Sequence, residues 1–192
     1  NTFRNNGAGV AVTYTHGVKM FNNLFEENWG DAAYGLLLKE ISDSHIEGNI
    51  FTKNTSGIYM EGTSRLQVER NLFKDNGWAI KIQASCMDVN VTKNNFLGNT
   101  FDVGTNGSLV LNNFDGNYWD KYEGYDLNKD KIGDIPYRPV SLFSMILEKI
   151  PPAMMLFRSF MVTLLDKTEK IIPSITPENL KDNSPLMKAY KS

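Results

Sequence analysis

Along the first 117 residues the apolar side chains come in short alternating steps, and asparagine and glycine interrupt them every few positions. Gly9-Val10-Ala11-Val12, Gly57-Ile58-Tyr59-Met60 and Trp78-Ala79-Ile80-Lys81-Ile82 read as strands, each followed by a second short apolar step such as Leu66-Gln67-Val68 or Val89-Asn90-Val91. Between these steps N-x-F-x-x-N recurs six times, at Asn1/Phe3/Asn6, Asn23/Phe25/Asn28, Asn49/Phe51/Asn54, Asn71/Phe73/Asn76, Asn94/Phe96/Asn99 and Asn112/Phe114/Asn117. The spacings are 22, 26, 22, 23 and 18 residues. A leucine-rich repeat of this period needs a run of leucines and a helical return, and neither is present. The pattern instead predicts a right-handed parallel β-helix of the pectate-lyase-like type, with coils stacked about 4.8 Å apart. The six phenylalanines would then stack inside. The asparagines would hydrogen-bond along the stack and take the left-handed bends, and six coils would make a rod of roughly 25–30 Å. Because the asparagines recur in register with the phenylalanines, they read as ladders and turn formers rather than sugar-binding groups. The chain opens inside a repeat, so more coils are expected ahead of Asn1.

Punctuation changes near residues 118–140. All 15 glycines lie at or before Gly133, and all 7 prolines at or after Pro136. The expected organisation is coils over 1–117, an aromatic and acidic capping junction over 118–139, and a helical tail over 140–192 that caps and docks. Overall this is an all-β chain with an α-helical C-terminal extension. Helices are expected at 141–149 and 152–167, parted by Pro151-Pro152, since a proline pair cannot sit inside one. In the second, Ala153, Leu156, Phe157, Phe160 and Leu164 share a face, while Met154, Met155, Met161, Val162 and Leu165 leave the rest apolar too. That surface suits burial on the coil stack, docking on a partner, or a membrane surface. The run from Ile150 to Leu165 is too short, and too broken by Pro151, Pro152 and Arg158, to span a bilayer.

A net charge of −2 gives no field for polyanions, so no nucleic-acid partner is expected. The single cysteine, Cys86, excludes an internal disulfide framework and a multi-cysteine zinc site. No Ser-His-Asp order, P-loop or HExxH occurs. Glycosidase chemistry needs two carboxylates within about 5–10 Å. Glu61 and Asp88, each near a turn after an alternating segment, are the candidates, against the plainer reading of solvated exterior charges. Asp126, Asn128, Asp130 and Asp134 follow the D-x-N-x-D-x-x-x-D layout of a calcium loop. Lys131 stands where such loops place glycine and Tyr137 where an EF-hand places its closing glutamate, so a self-bonded acidic turn is the alternative.

The stretch from Asn117 to Pro139, N-Y-W-D-x-Y-x-G-Y-D-x-N-x-D-x-I-G-D-x-P-Y-R-P, follows N-x-F-x-x-N coils and resembles the NosD family. The tail agrees at Pro139-Val140-Ser141-Leu142-Phe143-Ser144, at Pro152 to Ser159 and at Asp182-Asn183-Ser184-Pro185-Leu186-Met187. The resemblance implies an exported, non-enzymatic β-helix protein of the CASH class acting in the periplasm. Its implied partners are the membrane subunit of an ABC transporter, nitrous oxide reductase, whose copper–sulfide centre is assembled, and a copper-chaperone lipoprotein. Copper handling needs imidazole, thiolate or thioether groups. Here His16, His45 and Cys86 are the copper candidates, though the two histidines fall out of register with each other, as Cys86 does with Met60; their ordinary roles are surface or turn imidazoles and a packed thiol. Leu156, Phe157, Phe160, Met161 and Leu164 are the candidates for docking on the membrane subunit. The alternatives are an exported β-helix that binds or cleaves acidic polysaccharide, and a purely structural rod.

Overall fold

The computed structural model describes residues 1–107, 111–156 and 180–190. One wall is a parallel sheet of β1 (Thr2–Arg4), β4 (Leu24–Glu26), β6 (Ile50–Thr52), β9 (Leu72–Lys74), β12 (Asn95–Leu97) and β15 (Tyr118–Trp119), paired in that order. A second wall stacks β2 (Ala8–His16), β5 (Tyr34–Glu47), β7 (Ser56–Glu61), β10 (Trp78–Ile82) and β13 (Phe101–Gly104). The third holds β3 (Lys19–Phe21), the far half of β5, β8 (Ser64–Glu69), β11 (Met87–Thr92) and β14 (Asn113–Asp115). Every pair is parallel, and β5 runs through the bend between the second and third walls. The result is a parallel β-solenoid of about five turns.

Inside the first wall the aromatic ladder runs Phe3, Phe25, Phe51, Phe73, Phe96. Ring centroids are 5.1, 4.7, 5.0 and 5.0 Å apart and nearly parallel. The sixth ring is not Phe114 but Trp119, 4.1 Å from Phe96. Phe114 is buried in the third wall opposite Val91. The last N-x-F-x-x-N therefore starts one wall too early. Backbone pairing sets the register, and Asn117, not Asn112, stands on Asn94 and begins the next turn. The shortened spacing of 18 residues was the trace of this slip.

Two asparagine ladders flank the rings. In the first, backbone and side-chain N–H groups of each asparagine donate to the next Oδ1, through Asn23, Asn49, Asn71, Asn94 and Asn117. The second runs through Asn28, Asn54, Asn76 and Asn99. Buried amides need such partners. The bends, however, are not taken by the ladder asparagines. The residue just before each one holds positive φ: Asn22, Gly48, Arg70, Lys93 and Gly116 on one side, Glu27, Lys53, Asp75 and Gly98 on the other. The strain of the bend thus falls on the neighbour, which is exposed at Lys53, Arg70, Asp75 and Lys93, and glycine is the least costly residue for it.

A column of small residues in the second wall, Gly9, Gly35, Gly57 and Ala79, makes room for the rings. A Cβ on Gly57 would lie 3.2 Å from Phe73 and 2.6 Å from the Ala79 carbonyl. The next residue in that column is Asp102.

The C-terminal end is closed from outside. Helix α1 (Leu142–Lys149) is N-capped by Ser141, whose Oγ accepts from the Ser144 N–H, and stops before Pro151. Its Phe143 and Leu147 bury against Phe101 and Trp78. A 3-10 helix covers Pro151–Leu156, so the second expected helix begins as a 3-10 turn and its remainder lies outside the described residues. Residues 180–190 return across the end through bridges from Asp182 to Phe114 and Tyr137 and from Leu186 to Tyr118 and Ile132. No described helix is long and apolar enough to cross a membrane.

Candidate functional site

On the third wall's outer face, β5 carries His45 and Glu47 on the same side, as alternation requires, and Glu69 of β8 lies opposite Glu47. The His45 Nε2 is 3.0 Å from Glu69 Oε1 and 3.4 Å from Glu47 Oε2. Arg70 Nη1 donates to Glu47 Oε1 at 2.7 Å and lies 3.6 Å from Glu69. The ring of Phe21 meets the imidazole edge-on at 5.2 Å. Among the described residues this is the group of three or more His, Cys, Asp or Glu whose ligand atoms converge, all within 4.8 Å of one another.

The other sequence candidates are not brought to it. His16, at the exposed end of β2, faces Ser42, whereas His45 faces Lys19. Cys86 is fully buried in the core, and burial pushes its thiol upward, away from the thiolate a metal needs. Glu61 is held by Lys39 at 3.1 Å and by the Tyr59 hydroxyl, while Asp88 sits beyond the bend in a column with Asp43 and Arg65. They have separate partners.

The acidic turn closes on itself. Asp126 accepts the N–H groups of Asp130 and Lys131, Asp130 that of Ile132, and Asp134 that of Leu127 at 2.7 Å. Asn128 bonds Asp130 through both its oxygen and its amide. Lys129 and Lys131 supply the left-handed positions. The turn's carboxylates thus accept from its own backbone and from the Asn128 amide, and calcium finds no support here. Of the docking candidates, Phe157, Phe160, Met161 and Leu164 lie outside the described residues, and Leu156 ends the 3-10 helix.

Two features escaped the sequence reading. Glu47 and Glu69 each stand two residues before a ladder asparagine, so aligning coils on Asn49 and Asn71 would have paired them. Asp182 is fully buried and takes the rung beyond Asn117. Its carboxylate accepts N–H groups of Gly116, Asn117, Ser184 and the Trp119 indole at 2.9–3.0 Å. Nothing in its local pattern shows this, because all of these partners but Ser184 are over sixty residues away.

The imidazole and two carboxylates are the nitrogen and oxygen donors that suit a borderline divalent ion. These features define a class: a parallel β-coil scaffold whose C-terminal segment returns across its end, with an imidazole and two carboxylates together on an outer wall. A family profile described as "Periplasmic copper-binding protein (NosD)" matches residues 1–124, and the chain belongs to the NosD family. A "Probable ABC transporter binding protein NosD" from Stutzerimonas stutzeri is 30% identical over 176 residues, covering 82% of this chain and 40% of the relative. A protein of the same description from Pseudomonas aeruginosa is 26% identical over 175 residues, covering 82% and 41%. The chain thus spans about 40% of the length of the curated relatives it matches.

Proposed function

We propose that the chain acts in the periplasm as a non-enzymatic partner of an ABC transporter in assembling the copper–sulfide centre of nitrous oxide reductase. Copper is cargo in this reading, brought by a lipoprotein chaperone. The observation that carries it is the family match across the whole run of coils, joined to relatives whose names tie them to an ABC transporter. A stacked-coil scaffold suits the role, because it presents long rigid walls that partners can read. The apolar tail around Phe157 and Phe160 supplies the contact to the membrane subunit.

The test is genetic and spectroscopic. A strain lacking this protein should make nitrous oxide reductase without the copper–sulfide absorption, and the gene restored should return it. A fully assembled centre in the deletion strain overturns the reading. Co-purification with the membrane subunit should be lost when Phe157 and Phe160 become Asp.

A further inference from the structure

We propose that Asn106-Gly107 is a self-modification site, at which the Gly107 backbone nitrogen converts the Asn106 amide to aspartate and isoaspartate with release of ammonia. The chemistry needs no partner protein and is independent of the transporter role.

The chain holds three Asn-Gly pairs, at Asn6-Gly7, Asn76-Gly77 and Asn106-Gly107. In each, glycine has no side chain to shield its nitrogen, and its backbone turns freely enough to bring that nitrogen onto the neighbouring amide carbon. By sequence the three are equal. The coil stack makes them unequal.

Asn76 is a buried rung of the second ladder. Its Nδ2 donates to Asn99 Oδ1 at 3.0 Å and to the Phe51 carbonyl at 2.9 Å, and the Asn54 carbonyl holds the Gly77 N–H at 2.9 Å. Leaving group and nucleophile are both tied, so conversion must wait for local opening. Asn6, in the first turn, is exposed, but its Nδ2 donates to the Arg4 carbonyl at 2.9 Å. Among the described residues no donor reaches its Oδ1. Asn106 is exposed in the bend after β13, and there the bonding is reversed. The Ala84 N–H donates to Asn106 Oδ1 at 2.8 Å, while among the described residues nothing holds Nδ2. A donor on Oδ1 polarises the amide carbon and stands where negative charge gathers when that carbon is attacked. The Gly107 N–H is held only loosely, by Thr105 Oγ1 at 3.4 Å.

In the first step the Gly107 nitrogen gives its electron pair to Asn106 Cγ, and its proton passes to solvent. The Cγ–Nδ2 bond breaks, and Nδ2 takes a proton from water and leaves as ammonia. Water then opens the cyclic imide at either carbonyl, giving aspartate or isoaspartate. Nothing is oxidised or reduced; the side chain exchanges its nitrogen for a water oxygen.

The full chain would be kept folded in mildly alkaline buffer made with heavy-oxygen water, with a parallel sample in urea, and both digested at intervals for mass spectrometry. In the folded chain the Asn106 peptide should convert first, gain a heavy oxygen and yield isoaspartate as well as aspartate. It should run at least about tenfold ahead of the Asn76 peptide, whose hydrogen bonds must open before reaction. In urea the three peptides should convert at similar rates. Gly107→Ala should slow Asn106 at least about tenfold, because the added methyl group shields and stiffens the attacking residue. Asn106 staying intact in the folded chain while it converts in urea, or Asn6 or Asn76 converting first, would overturn the site. So would an equal lead for Asn106 in urea, since the fold would then contribute nothing.

Discussion

Asp43 and Asp102 show how differently two carboxylates fare in one coil stack. Arg65, bound to Asp43 through two N–H groups at 2.6 and 2.8 Å, holds that exposed carboxyl down at about 2. A depressed acid contributes stability above its unfolded value near 4 and loses it as pH falls toward 2. NMR titration should place the Asp43 midpoint near 2, and Arg65→Gln should return it to the ordinary carboxylate range. Asp102 is the opposite case. It occupies the column of small residues beneath the aromatic ladder, and burial pushes its carboxyl up against the pull of Lys121 at 3.5 Å. Its Oδ1 has no hydrogen-bond partner among the described residues, while Oδ2 accepts from Tyr137. A raised acid keeps its proton longer in the folded state, so its contribution falls as pH rises from about 4 through the folded value. Asp102→Asn should flatten that part of the thermal stability profile and raise the melting temperature at neutral pH.

At the level of the element, the repeated unit is one wall-to-wall turn that cannot bury its inner face alone, so position along the stack decides what a side chain is worth. Phe51 is fully buried, with rings 4.7 and 5.0 Å on either side. Phe51→Ala should cost about 3–5 kcal/mol in urea unfolding, the range for emptying a core of an aromatic ring. Phe3, in the first turn and only partly buried, has a ring on one side, and Phe3→Ala should cost under about half as much. The ladder itself was legible in the sequence because ring and amide recur together. Its last rung was not: Asn112-Asn113-Phe114 carries the same letters, but strand pairing assigns them to a different wall.

For the whole molecule, the decisive contact is the return of residues 180–190 across the open end. Asp182 supplies the acceptors that the last turn lacks, and Lys121 donates to the Asn99 carbonyl at 2.7 Å on the other ladder. Asp182→Ala leaves several buried N–H donors without an acceptor, each costing about 1–3 kcal/mol. Such a variant should lose at least about 2 kcal/mol and expose the Trp119 turn to early hydrogen exchange, with the first turns protected as before. Equal protection throughout would show that other contacts close the end.

The amino-acid sequence by itself determined that the chain coils in parallel, that rings and amides stack along it, and that a helix follows the turn-rich part. Those properties repeat every turn, and a repeat is a local signal. Tertiary structure alone decided which aromatic ends the ladder, which residue caps it, and that Glu69 meets His45 and Glu47. Each depends on register between segments far apart in the chain, and register is set by backbone pairing and burial across the stack, not by any residue's own neighbours.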